Sequence, residues 1–121
     1  MNKLSDEILK KKYSELHNDF IKGDFLNVIK GCNKVLEKRK NQLFFNLLCI
    51  AYQKIGKIEK SIDVMNEALT FNPNHPDFLN NLGLCFYMLH KFSEAEKYFK
   101  KGLEVDNKHL HILNNMGNLK R

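Results

Sequence analysis

The feature that most constrains this chain is a self-similarity with a period of 34 residues. Residues 42–75, QLFFNLLCIAYQKIGKIEKSIDVMNEALTFNPNH, lie over residues 76–109, PDFLNNLGLCFYMLHKFSEAEKYFKKGLEVDNKH, without a gap. Phe45 falls over Leu79, Leu48 over Leu82, Tyr52 over Phe86, Ser61 over Ala95, Met65 over Phe99 and Leu69 over Leu103. The string LNNLG at 79–83 returns as LNNMG at 113–117, again 34 residues on. A period of that size means units that stack, each burying the face its neighbour leaves open.

Each block divides into two helices. Leu79, Leu82, Cys85, Phe86 and Leu89 keep helical spacing until His90-Lys91 interrupts. Phe92, Ala95, Tyr98, Phe99, Gly102 and Leu103 form a second stripe. Pro76 suits a first helical turn, with Asp77 at the positive end of the helix, and Gly56 marks the break in the preceding block. Small residues (Cys49, Gly83, Gly117, Ser61, Ala95, Ala68, Gly102) recur where two helices are expected to approach closely.

These columns resemble the tetratricopeptide repeat family, whose pattern is a large residue, Leu-Gly, an aromatic, Ala, an aromatic and Pro. Block 76–109 carries Leu79, Leu82-Gly83, Phe86, Ala95 and Phe99, with Asn107 in the place of Pro. Block 42–75 carries Phe45, Leu48, Tyr52, Ala68 and Pro73, with Cys49 for Gly and Ser61 for Ala. The resemblance covers at least 42–119. It implies an all-α fold, a right-handed superhelical α-solenoid of antiparallel helix pairs, with about three and a half repeats in one domain, 1–121. The units are a degenerate repeat at about 6–41, repeats 42–75 and 76–109, and a half repeat or capping helix at 110–121.

In the N-terminal unit, Ser5-Asp6-Glu7 reads as a helix start, with the helix running to about Ile21. Gly23-Asp24-Phe25 gives the turn, and Val28, Cys32, Val35 and Leu36 line a second helix whose register slips by one residue. Lys40 stands where Pro is usual. At the other end, LHILNNMGNLKR is a first helix with Lys120 in place of an aromatic. It is either a cap or part of a longer array; the internal-repeat pattern LNNMGN favours the array.

In this family the first helices of successive units line a concave groove that holds a partner segment. Carried over by position, the groove takes Lys12, Tyr13 and Leu16, then Asn46, Leu47, Ile50 and Gln53. It continues through Asn80, Asn81, Leu84, Tyr87 and Met88 to Asn114, Asn115 and Asn118. Asn amides offer donor and acceptor together and can pair with the backbone of an extended peptide, Asn81 and Asn115 foremost. Leu47, Leu84, Tyr87 and Met88 would supply pockets. Alternatively, Asn80 and Asn114 solvate an exposed face or bond to the next helix. One sub-function of the family is disfavoured. The carboxylate clamp that holds acidic chaperone tails needs Lys, Asn and Arg where this chain has Leu16 or His17, Leu47, Asp77 and Asn81; Asp77 would repel a carboxylate.

Composition adds limits. The 121 residues include 20 basic and 14 acidic, a formal charge of +6. All but Arg39 and Arg121 of the basic residues are Lys, a poor choice for bidentate phosphate or base readout. Residues 1–41 carry +4 and the last twelve +2, while the two clear repeats are neutral, so the charge says little about function. No apolar run is long enough to span a membrane and no secretory signal begins the chain. Cys32, Cys49 and Cys85 have no CxxC spacing and read as buried, reduced thiols of a cytoplasmic protein. No HExxH, Walker, GxSxG or paired-carboxylate motif occurs. His109-x-His111 places its two rings in diverging directions, and His75 and His109 share a column that suggests a capping role. The expectation is therefore a non-catalytic module binding a protein or peptide partner, with no cofactor, no metal and no specific nucleic acid or membrane. Two alternatives remain: the repeats as the substrate-recruiting part of a larger, transferase-like enzyme, and a homo-oligomer through the face carrying Leu113 and Met116.

Overall fold

The computed structural model describes residues 5–120. They form seven helices and no strand: α1 (Asp6–Ile21), α2 (Phe25–Lys38), α3 (Gln42–Lys54), α4 (Ile58–Phe71), α5 (Pro76–Met88), α6 (Phe92–Val105) and α7 (Leu110–Leu119). This is the all-α architecture of stacked helix pairs expected from the repeat. No helix among the described residues is long and apolar enough to cross a membrane. The chain forms two compact units, one up to Lys57 and the other from Ile58.

The turn inside each repeat is built the same way three times. The N–H groups of Asp24, Lys57 and Lys91 donate to the carbonyls of Asp19, Tyr52 and Phe86, five residues back. Those of Gly23, Gly56 and His90 donate to Phe20, Gln53 and Tyr87, three residues back. Together these close a Schellman end, which requires a left-handed residue at its centre. Gly23 and Gly56 supply it at φ 85° and 79°, and His90 is forced into it at φ 61°.

The turns between repeats are different. The N–H of His75 donates to Asn72 and that of His109 to Asp106, so Pro73 and Asn107 occupy the same early turn position. Pro is preset for that position and Asn tolerates it, which is why the swap costs no helix. Both histidines then cap the next helix. His75 Nδ1 accepts from the Asp77 N–H at 3.2 Å, and His109 Nδ1 from the Ile112 N–H at 3.3 Å. Between α2 and α3 there is no such turn. Arg39 is extended, Lys40 donates to the Leu36 carbonyl at 2.8 Å, and Asn41 caps α3 by accepting from the Leu43 N–H. A lysine that satisfies a helix-end carbonyl takes over where the repeat pattern has Pro.

In the first unit, Ser5 caps α1 and Asp24 caps α2, each accepting from the N–H three residues on. Val28, Cys32, Val35 and Leu36 are buried, as the α2 stripe requires. Tyr13 meets Phe44 edge-on at 5.7 Å, and Phe20 meets Phe25 at 5.2 Å. Arg39 reaches back to Asp6 at 2.7 Å on the surface. In the second unit, α5 packs on both α4 and α6, and α7 lies against α5 and α6. Phe99, Ala95 and Ile112 are fully buried, flanked by Phe86, Tyr87, Leu103, Met116 and Leu119. Close approach explains two glycines. A Cβ on Gly83 would lie 2.6 Å from the Phe99 ring, and one on Gly102 would lie 2.5 Å from Ile112 Cδ1. Gly117 departs from the expectation: no atom lies within 4 Å of where its Cβ would be.

Candidate functional site

In the first unit the predicted groove positions on α3 are mostly covered. Leu47 and Gln53 are buried, and Asn46 and Ile50 are half-buried. The Gln53 amide donates to the Cys49 thiol sulfur at 3.7 Å, a weak i−4 bond that holds its side chain along the helix. The α1 positions separate. Tyr13 packs on Phe44 and stacks with His17, while Lys12 and Leu16 line a cleft between α1 and α2.

In the second unit the first helices α5 and α7 bring several predicted residues together. The Asn115 amide donates to Asn80 Oδ1 at 2.8 Å, so the amide bridge between these helices is Asn80–Asn115. A bond from Asn80 to the next helix is the alternative that the sequence offered for it, beside Asn81 and Asn115 as contacts to a peptide backbone; Asn80 and Asn81 are each only 8% exposed. Adjacent residues on a helix differ by about 100° in direction, so repeat columns define the strip without defining which amide meets which. Leu84 is half-buried; Asn114 and Asn118 are exposed, and Met88 is 42% exposed.

Beyond the bridge the strip deepens into a cup of about 360 Å³, lined by Tyr87, Phe92, Ser93, Glu96, Asn118, Leu119 and Lys120. Phe92 is 47% exposed and meets Tyr87 edge-on at 5.4 Å, with His90 edge-on at 5.7 Å on its other side. Lys120 bonds Glu96 at 3.0 Å across the cup, and Lys100 stands 3.9 Å from the same carboxylate. The Lys120 hydrogen bond and the two lysine charges hold the Glu96 carboxyl below its usual range. Phe92, Ser93, Glu96 and Leu119 escaped the sequence reading because they come from the second helix of one repeat and the end of the next. Their only sequence signal was an aromatic opening α6 directly after a forced turn.

The clamp position Asp77 is occupied by a different interaction. Its Oδ1 lies 2.6 Å from His109 Nε2. Since His109 Nδ1 already accepts from the Ile112 N–H, the ring proton sits on Nε2 and is donated to Asp77. The two histidines at 109 and 111 lie 5.9 Å apart with tilted rings. No group of three or more potential metal ligands occurs among the described residues. All three cysteines are buried. Burial pushes the Cys32 thiol up to about 12 and raises the Tyr13 hydroxyl as well, so neither is poised for chemistry near neutral pH.

Comparison with known proteins identifies the repeat and the fold. Family models described as tetratricopeptide repeat match residues 42–75 and 76–109. The small glutamine-rich tetratricopeptide repeat-containing protein 2 of Mycosarcoma maydis is 26% identical over 84 residues, 69% of this chain and 24% of that protein. The chain thus spans about a quarter of that relative's length. The TPR domain of Sgt2 from Aspergillus fumigatus superposes with a TM-score of 0.87 at 19% identity, over 98% of this chain and 80% of that one. The first TPR of Spaghetti (RPAP3), bound to the HSP90 peptide SRMEEVD, gives 0.83 at 17% identity, over 97% and 94%. The Yersinia enterocolitica secretion chaperone SycD, in complex with a peptide of the translocator YopD, gives 0.83 at 18%, over 98% and 92%.

Proposed function

The chain belongs to the tetratricopeptide repeat family, and from that premise we propose that it is a non-catalytic module holding a segment of a partner protein along its first helices. The observation that carries this is the strip on α5 and α7. The Asn80–Asn115 bridge there runs toward a cup with an exposed aromatic wall, Tyr87 and Phe92. Backbone amides of an extended peptide would meet the Asn side chains, and an apolar side chain would enter the cup. Neighbours of the same fold with peptides bound support a peptide as the ligand class. Met88 at the strip's edge suits varied apolar shapes. Asn114 and Asn118 would extend the strip on α7, and Asn46, Leu47, Ile50 and Gln53 on α3 are candidate contacts of the first unit by themselves. A reducing compartment such as the cytoplasm is part of the same proposal, supported by the burial of the three cysteines; a fluorescent fusion entering the secretory pathway would overturn that assignment.

The test is selection of a random displayed-peptide library against the chain. Peptides so obtained should lose at least about tenfold in affinity to Leu84→Asp and Tyr87→Ala, and keep it with Lys60→Glu as a remote control. Equal binding to all variants would place the site elsewhere. A second reading has the repeats recruit substrate for a larger enzyme; the relative of which this chain matches 24% supports only that such repeats occur within a longer protein. Reading the coding sequence past Arg121 decides it, because an immediate stop codon removes the enzyme.

A further inference from the structure

The formal charge is not spread over the chain. Residues 1–57 carry twelve basic and six acidic side chains, and residues 58–121 carry eight of each, so the first unit holds the whole +6. Within that unit, α1 and α2 enclose a cleft of about 340 Å³ lined by Lys12, Glu15, Leu16, Gly31, Lys34, Val35, Glu37 and Lys38. Its floor is apolar: Leu16 and Val35 are buried, with the Leu16 δ-carbons seated over Gly31. Its banks carry three lysines, with Glu15 and Glu37 also in the lining. Lys12 stands on α1, and Lys34 and Lys38 stand on α2; all three are exposed, and none forms a salt bridge with another described residue.

We propose that the α1–α2 cleft docks an acidic amphipathic helix of a partner protein, a surface separate from the strip on α5 and α7. Residues 31, 34, 35 and 38 are one stripe of α2, and the stretch they span is about 10 Å, or two turns. A guest helix with apolar residues at i, i+3 or i+4, and i+7 would lay that face on Leu16 and Val35. Acidic residues on the flanks of the guest would meet Lys12 on one bank and Lys34 and Lys38 on the other. The second unit already seats a helix across a helix pair in this manner, α7 on α5 and α6. A phosphate-rich guest fits less well. The cations are lysines without bidentate geometry, and an apolar floor offers phosphate nothing.

The experiment titrates the isotope-labelled chain with a designed two-to-three-turn helix, leucines on one face and glutamates flanking them, monitored by amide NMR shifts. A scrambled peptide of equal charge, a lysine-for-glutamate version, phosphatidylserine vesicles and single-stranded RNA are run beside it. The expected result is saturable shifts at Lys12, Leu16, Gly31, Lys34, Val35 and Lys38 for the first peptide alone. Affinity should fall at least about tenfold in Lys34→Glu/Lys38→Glu and hold within about twofold in Lys34→Arg/Lys38→Arg. Both pairs are exposed, and unchanged circular dichroism verifies the fold. Equal binding of the scrambled peptide, shifts confined to α3, α5 or α7, tighter binding of vesicles or RNA, or no binding would each overturn the proposal. Because the cleft is read out separately from Leu84 and Tyr87, its failure leaves the peptide-strip reading standing, and the reverse also holds.

Discussion

At the scale of single residues, the sharpest consequence sits at His90. Its column holds Gly56 in the preceding repeat, and the Schellman turn requires positive φ in both. A β-carbon in the left-handed region costs on the order of 1 kcal/mol, offset here in part by the edge contact with Phe92. His90→Gly is therefore expected to stabilise the protein by about 0.5–1 kcal/mol, read as a higher urea midpoint at unchanged slope. Gly83 and Gly117 share another column and should respond oppositely. Gly83→Ala drives a methyl into the buried Phe99 ring and should cost about 1–3 kcal/mol. Gly117→Ala enters open space within a helix and should be neutral or stabilising by up to about 1 kcal/mol. Equal melting shifts for the two would show that the contact with Phe99 is not what holds glycine at position 83.

At the scale of elements, the second and third repeats were legible because their large and small residues alternate in fixed columns. The start of α1 at Ser5, its end at Ile21 and the Gly23-Asp24 turn were legible from cap chemistry alone. The slipped register of the first unit has a packing cause the columns could not display. There the large side chain is on the first helix and the gap on the second: Leu16 δ-carbons fill the space above Gly31. In the second unit the order is reversed, with Gly83 on the first helix and Phe99 on the second. Helix α7 offers two tests. His109→Ala removes both the cap on Ile112 and the link to Asp77, and should cost about 1–2 kcal/mol. Faster hydrogen exchange at the first amides of α7, with α4 unaffected, would localise that loss. At its far end, α7 is tied to α6 through Lys120 and Glu96. The folded-state carboxyl is held below its unfolded value, so this tie contributes above the unfolded range and is lost as pH falls through the folded one. Exchange near Lys120 should rise on acidification in wild type, and the difference from Glu96→Gln should vanish at the acid end.

At the scale of the whole molecule, fold and family were readable because a repeat writes the same physical demand several times, whereas a binding specificity is written once. The carboxylate at position 77 illustrates the difference. The first TPR of Spaghetti, at 17% identity, shares the fold and was solved with SRMEEVD, a peptide that is acidic toward its end. This chain places Asp77 at a clamp position, half-exposed, and engages it with His109 instead of a ligand. Asn81, another clamp position on the same helix, is buried and carries no charge. A peptide carboxylate brought there would lose hydration and meet a like charge, with no cation at these two positions in compensation. The chain is therefore expected to bind SRMEEVD no more tightly than about 1 mM, an affinity of roughly −4 kcal/mol. Isothermal titration with that peptide checks this. Saturable micromolar binding would mean that other cations, such as the lysines of the first unit, replace the clamp, and that acidic segments are recognised by charge distribution and not by clamp geometry.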